Sequence, residues 1–169
     1  MKTLLTKTQI MRRIGELGRE ISAYYEGHEL LLLIVANGGV FFGADLARAL
    51  TVPVKVDVLA VSSYQQDRRS NELVWRCEPK LPVANQRVLI VDEVLDSGVT
   101  LRRLSEHIAS HGALEVKTAV LVEKTVTRPP EGLPSADWRG FVLPDRYLVG
   151  CGMDSRELFR NLPVVAALD

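Results

Sequence analysis

Cysteine is scarce: Cys77 and Cys151 are the only two in 169 residues, and they form no C-x-x-C pair. No disulfide framework can be built from them, and reduced thiols in the cytoplasm are expected. Neither sign of charge prevails, since 21 lysines and arginines stand against 21 aspartates and glutamates. No overall field therefore draws the chain to nucleic acid or to an anionic membrane, and small molecules are the expected partners. Long hydrophobic runs are missing too. The longest covers residues 30–36, far short of the ~20 needed to span a bilayer. The N-terminus shows no charged-then-apolar signal segment, so a soluble cytoplasmic protein is expected. Repeats, low-complexity tracts and dividing linkers are also lacking, which makes residues 1–169 one expected domain. A chain of that size buries about two-thirds of its unfolded surface.

Two nucleotide motifs are absent. The chain has no G-x-x-x-x-G-K-[ST], and no strand runs into G-x-G-x-x-G with a later acidic residue. A P-loop enzyme and a dinucleotide oxidoreductase are thereby disfavoured.

What the chain does have is alternation. Thr6 with Gln9 forms a capping-box signature, and Ile10, Ile14, Leu17 and Ile21 recur at helical spacing until Gly27. LLLIVA at 31–36 reads as a buried strand, Asn37-Gly38-Gly39 as a turn, and VFFGADLARAL as a helix ended before Pro53. Strands follow around 54–61, 73–77 and 88–91, then a helix over 100–111 and the strand VKTAVLVEK. A Pro/Gly-rich segment occupies 128–144, and short apolar runs at 147–149 and 164–168 close the chain. Near-continuous apolar strands separated by helices predict an α/β fold: a mostly parallel twisted sheet flanked by helices, with ligands at the carboxyl ends of the strands.

Residues 88–100 read VLIVDEVLDSGVT, a buried strand expected to stop at Val91 and to run into Asp92, Glu93 and Asp96. Charge at the end of a buried strand needs compensation. Gly98 lets the chain turn so that successive N–H groups and the start of a helix can face a phosphate, with hydroxyls added by Ser97 and Thr100. Asp96, Ser97 and Thr100 are equally suited to plain helix capping. Alternation sends Asp92 and Glu93 to opposite sides of the strand, and paired carboxylates beside a phosphate cradle suit a ribose diol or Mg²⁺. LIVDEV also looks like the opening of a phosphorelay receiver domain, but there most of the domain follows the acidic pair, and here the pair comes after the midpoint.

VLIVDEVLDSGVT resembles the phosphoribosyl pyrophosphate motif of type I phosphoribosyltransferases, and FVLPDRYLVGCGMDSRELFRNLP resembles the purine-binding and C-terminal segment of their hypoxanthine-guanine members. The likeness runs from about residue 30 to 168 and includes Asn37-Gly38-Gly39, Ser63-Tyr64 and Val122-Glu123-Lys124 in order. It implies Mg²⁺-dependent transfer of ribosyl 5-phosphate from phosphoribosyl pyrophosphate to a 6-oxopurine in purine salvage. It also implies a small hood over the purine and a homodimer or homotetramer. Asp92 and Glu93 are then assigned to the ribose hydroxyls and the metal, and Ser97, Gly98, Val99 and Thr100 to the 5-phosphate. Asp96 faces N7 of the base as proton acceptor and donor, within the same loop.

By the same resemblance, Asn37, Gly38 and Gly39 form the pyrophosphate loop, with Arg160 as a further contact and Asp154 as a ligand of a second Mg²⁺. The purine set is Lys124, which donates to the 6-oxo oxygen, Tyr147, which stacks on the ring, Leu148 and Asp154. Ser63 and Tyr64 belong to a lid in SSYQQDRRSNELVW, which could also be an exposed hairpin. Taken without the family, Asn37-Gly38-Gly39 is an ordinary turn, Lys124 a solvated charge and Tyr147 core packing. His107 and His111 have zinc-compatible spacing on a helix but no third ligand. Many relatives carry lysine where Asn37 stands, and Cys151-Gly152 departs from the commoner pattern. A non-catalytic regulator that senses phosphoribosyl pyrophosphate on the same fold is the alternative, but it should show a basic face and could lose the base-facing aspartate.

Overall fold

The computed structural model describes residues 1–62 and 73–168; Ser63 and Tyr64 lie outside the described residues. Twelve elements are formed in the order β1 (Lys2–Leu5), α1 (Lys7–Tyr24), β2 (Leu30–Val35), α2 (Gly39–Ala49), β3 (Val54–Ser62), β4 (Val74–Cys77), β5 (Arg87–Leu95), α3 (Val99–Ser110), β6 (Glu115–Thr125), β7 (Trp138–Pro144), β8 (Leu148–Val149) and β9 (Val165–Ala167). Capping decides where α1 starts. The Thr6 hydroxyl accepts from Gln9 N, while the Gln9 side chain accepts from Thr6 N, closing the reciprocal box.

Six strands form the main sheet in the order β4-β3-β2-β5-β6-β7, with every pair parallel except β3 with the edge strand β4. Alternation splits its residues between two cores. Leu30, Leu32, Ile34, Leu89 and Val91 pack with α1 and α2, whereas Leu31, Leu33, Val88 and Ile90 pack with Leu101, Leu104 and Ile108 of α3. A second sheet, β1-β9-β8, is antiparallel and joins both ends of the chain to residues 148–149.

Two expectations need correction, and one strand is unexpected. The acidic strand does not stop at Val91: β5 continues to Leu95 and pairs Asp92 with Val120 and Leu95 with Glu123. The parallel ladder satisfies the backbone there, so only the carboxylates themselves need solvent or a partner. Within the Pro/Gly-rich 128–144, residues Trp138–Pro144 form the edge strand β7, where a terminal proline is tolerated. A β-carbon at Gly140 would lie 2.5 Å from Leu121 O, so that glycine marks close backbone approach between β7 and β6. Strand β1 has no apolar periodicity of its own and is set by pairing with β9.

Helices α1 and α2 meet at Gly18, where a β-carbon would lie 2.5 Å from Ala49 O. Replacing Gly18 with leucine should raise helix propensity by up to about 1 kcal/mol yet cost about 1–3 kcal/mol through overpacking. The clash is with backbone and should win. A urea titration of Gly18→Leu should show a lower midpoint than wild type, and an equal or higher midpoint would refute the tight α1–α2 contact.

Candidate active site

The carboxyl ends of β2 and β5 lie side by side, because these strands pair from Leu31–Val88 to Ile34–Val91. Each runs into a helix that begins on glycine. The N-cap of α2 is Gly38 and that of α3 is Gly98, which adopts φ 76°, and neither helix has a side-chain cap hydrogen bond. Helix capping by Asp96 or Thr100 is therefore not what these side chains do, and Ser97 Oγ only accepts from Val99 N at 3.4 Å. Two sets of first-turn N–H groups with partial positive charge are left facing the same edge of the sheet.

Between these helix starts lie the two carboxylates. Glu93 reaches toward the 36–39 loop so closely that its carboxylate fills the space a side chain on Gly38 would need. Gly38 is buried for that reason, and the Ala36–Asn37 peptide before it is cis. Asp92 is half-buried, and its Oδ1 accepts from Glu93 N at 2.9 Å. Burial, and then the charge of Glu93, raise the Asp92 carboxyl well above the ordinary aspartate range.

The loop is held from the far side by the 150–160 segment. Gly152, at φ 101°, packs against the carbonyl of Gly38 with no room for a β-carbon. Arg160 Nη1 donates to Gly152 O at 2.7 Å, and Gly152 N donates back to Arg160 O at 3.0 Å. Arg160 is thus tied to Gly152, which packs on the Gly38 carbonyl of the 36–39 loop. Its Nη2 pairs with Asp154 at 2.9 Å and Glu157 at 3.1 Å, and its Nε is buried without a partner among the described residues.

Beyond Leu95 the chain enters the 96–98 loop. Leu133 N donates to Gly98 O at 3.0 Å, and Gly132 packs on Ser97 O, so the 129–133 turn braces this loop. Lys124, at the end of β6, places Nζ 3.0 Å from Asp96 Oδ2 and 3.5 Å from Asp145 Oδ1, and its side chain is 12% exposed against 56% for Asp96. An ammonium so covered is held, not solvated. Tyr147 is exposed, which leaves its ring open for contact, but Leu148 packs in the core with Val165 and Ala167. Of Leu148, only the main chain is available to a ligand.

Four contributors are given no role by the sequence pattern. Asp145 joins Lys124 and Asp96. Glu157 shares Arg160 with Asp154. Glu123, buried at 6%, accepts from Ser135 Oγ, Ala136 N and Arg139 Nη1, anchoring the strand that presents Lys124. Arg128 donates to Asp96 O at 3.0 Å. By contrast, the His107 ring packs on Trp75 with centroids 5.1 Å apart. Among the described residues, no group of three or more His, Cys, Asp or Glu side chains could hold a metal unaided. No helix among them is long and apolar enough to cross a membrane.

An acid with a raised folded pKa binds its proton more tightly in the folded state, so stability falls as pH rises through that pKa. Asp92→Asn, which keeps the oxygen facing Glu93 N, should therefore raise the urea midpoint of the ligand-free protein at pH 8. The gain should vanish near pH 3, below the ordinary aspartate value of 3.8. No gain at pH 8 would contradict the repulsion between Asp92 and Glu93.

A family model, the phosphoribosyl transferase domain, matches residues 1–155. The hypoxanthine-guanine phosphoribosyltransferase of Mycobacterium tuberculosis is 36% identical over 176 residues, covering 98% of this chain and 85% of that protein. Among solved structures, a hypoxanthine-guanine phosphoribosyltransferase of Bacillus anthracis superposes with a TM-score of 0.93 at 30% identity, covering 100% of this chain and 99% of that one. The hypoxanthine phosphoribosyltransferase of Trypanosoma cruzi in complex with the product IMP matches with a TM-score of 0.92 at 30% identity, over 100% and 94% of the two chains.

Proposed function

Because the chain belongs to the phosphoribosyl transferase family and is an enzyme of the hypoxanthine-guanine kind, we propose that it transfers ribosyl 5-phosphate from phosphoribosyl pyrophosphate to a 6-oxopurine in purine salvage. The whole chain works as one unit, with Mg²⁺ as cofactor and IMP or GMP with pyrophosphate as products. The observation that carries the choice of base is the 3.0 Å pair of Lys124 Nζ and Asp96 Oδ2 at the neighbouring ends of β6 and β5. In a 6-oxopurine, O6 and N7 lie along one edge. Lys124 has only protons to give and suits O6, while Asp96 suits a protonated N7.

The proposed roles are supported by where the residues sit. The 5-phosphate lies on the N–H groups at the start of α3, and the pyrophosphate on the 37–39 loop under Arg160. The ribose hydroxyls meet Asp92 and Glu93. As N9 forms its bond to C1′, the bond from C1′ to the pyrophosphate oxygen breaks and its electron pair leaves with pyrophosphate. The N7 proton passes to Asp96. Tyr147 stacks on the base, and the small β1-β9-β8 sheet supports the hood that carries it.

The residues fit a divalent ion. Asp92 and Glu93 repel each other beside the loop, and Mg²⁺ typically takes one or two carboxylates together with substrate phosphates and water rather than a complete protein cage. When bound, it would neutralise the diphosphate and stabilise the leaving oxygen. Asp92 and Glu93 would hold the ion nearer the ribose, and Asp154 a second one. A non-catalytic sensor of phosphoribosyl pyrophosphate would have no use for the Lys124–Asp96 pair.

A panel of hypoxanthine, guanine, xanthine and adenine with phosphoribosyl pyrophosphate, assayed for nucleotide and pyrophosphate, tests the reading. Adenine should fail, since its 6-amino group meets Lys124 donor to donor, a mismatch worth ~10⁴ or more in a built site. Excess EDTA should abolish turnover, and Lys124→Ala should lose activity on hypoxanthine and guanine while keeping its fold. Equal use of adenine and hypoxanthine would end the 6-oxopurine assignment, and full rate in EDTA the metal one.

Asp96→Asn should slow single turnover by ~10² to 10⁴, the usual worth of a positioned acid or base. Its affinity for phosphoribosyl pyrophosphate should stay close to wild type. An unchanged chemical rate would remove Asp96 from the proton path.

A further inference from the structure

We propose that Arg128 is a positioning residue for the base, which sets the spacing between Asp96 and Lys124. The inference rests on the reading that these two side chains face the purine edge. Strands β5 and β6 keep register as far as Leu95 and Glu123. Past that pair β5 gives way to the 96–98 loop, while β6 continues along β7 with Lys124 opposite Leu143. Where two strands part, their carbonyls lose ladder partners, and buried carbonyls need replacements.

Arg128 supplies them. Its Nε donates to Asp96 O at 3.0 Å, and Nη2 donates to Lys124 O at 2.8 Å and to Leu95 O at 3.5 Å. Nη1 donates to Pro134 O at 2.9 Å, adding the turn that follows. One rigid planar group thus bridges the main chains of the two residues whose side chains meet at 3.0 Å. Guanidinium is suited to this because its donors are fixed in a fork, which neither a lysine nor a glutamine can reproduce. The phosphate loop has a further brace in the main-chain bond from Leu133 N to Gly98 O, which does not use the guanidinium.

Titration of IMP and of ribose 5-phosphate into the wild-type chain, Arg128→Gln and Arg128→Lys separates positioning from general support. Both variants should lose IMP affinity by about tenfold or more and keep ribose 5-phosphate affinity within about twofold. Their kcat on hypoxanthine should fall by about 10 to 100-fold, with KM for phosphoribosyl pyrophosphate nearly unchanged, as expected when reacting groups are misplaced by a fraction of an ångström. Should Arg128→Gln fail to fold, Arg128→Lys, which keeps the charge, decides alone. IMP affinity within twofold of wild type in the lysine variant would overturn the proposal. Equal losses for IMP and ribose 5-phosphate would overturn it too, because a merely structural residue weakens both. A wild-type chain that bound ribose 5-phosphate but not IMP would instead overturn the base-site reading beneath it.

Discussion

Two carboxylates next to each other at the end of a buried parallel strand repel, and neighbouring parts of the site are shaped by that repulsion. Glu93 leans into the 36–39 loop and takes the space of a side chain at Gly38, while Asp92 stays half-buried with its carboxyl pushed up by burial and by its neighbour. Nothing in packing rewards such an arrangement. A protein optimised for stability alone would place apolar residues or a lysine there, since an unpaired buried charge is among the costlier features a fold can carry. The cost is offset only when hydroxyls or a cation arrive from outside, which is why the acidic pair points to a ligand more strongly than any loop composition does.

The same pair dictates the glycines. Glu93 requires that Gly38 have no β-carbon, and the carbonyl of Gly38 in turn requires the same of Gly152. A chain of close approaches therefore runs from the end of β5, through the loop before α2, to the segment that carries Asp154 and Arg160. Residues more than a hundred positions apart are held against one another by atoms that are absent. The second of these contacts is stiff, because at Gly152 backbone meets backbone without a side chain that could rotate aside.

The periodic parts of the fold are legible in the sequence. α1 announces itself through Thr6, Gln9 and a 3.6-residue apolar stripe, and β2 and β6 through uninterrupted apolar runs. Legibility fails where structure is set by partners rather than by pattern. β1 exists because β9 pairs with it, and β7 because Gly140 fits under the Leu121 carbonyl. β5 runs four residues past the expected end because ladder hydrogen bonds are indifferent to side-chain charge. At the site, Asp92, Glu93, Asp96 and Lys124 could be named because they sit in one motif or in a fixed order behind it. Asp145, Glu157 and Arg128 could not, since their contacts depend on how loops fold back. Leu148, named for its place in the purine segment, turns its side chain into the core beside Ala167, so that only its main chain is open to a ligand.

Two arginines illustrate how the partner, not the residue type, decides mobility. Arg128 donates to four carbonyls, neutral groups that an incoming anion does not displace as it would a paired carboxylate, so the guanidinium stays with the main chain. Arg160 is held by the carboxylates of Asp154 and Glu157, and its Nε has no partner among the described residues. A diphosphate offers Arg160 stronger bidentate acceptors than carboxylates that are also sought by a metal. On the proposed reading, the ion pairs at Arg160 are thus exchangeable: with that guanidinium on a diphosphate, Asp154 would be open to hold a cation. The charge of Asp154 is compensated before and after binding by different partners, whereas Asp92 and Glu93 are compensated only after it. On that reading, the larger electrostatic gain of binding would fall at Asp92 and Glu93, the end proposed for the ribose.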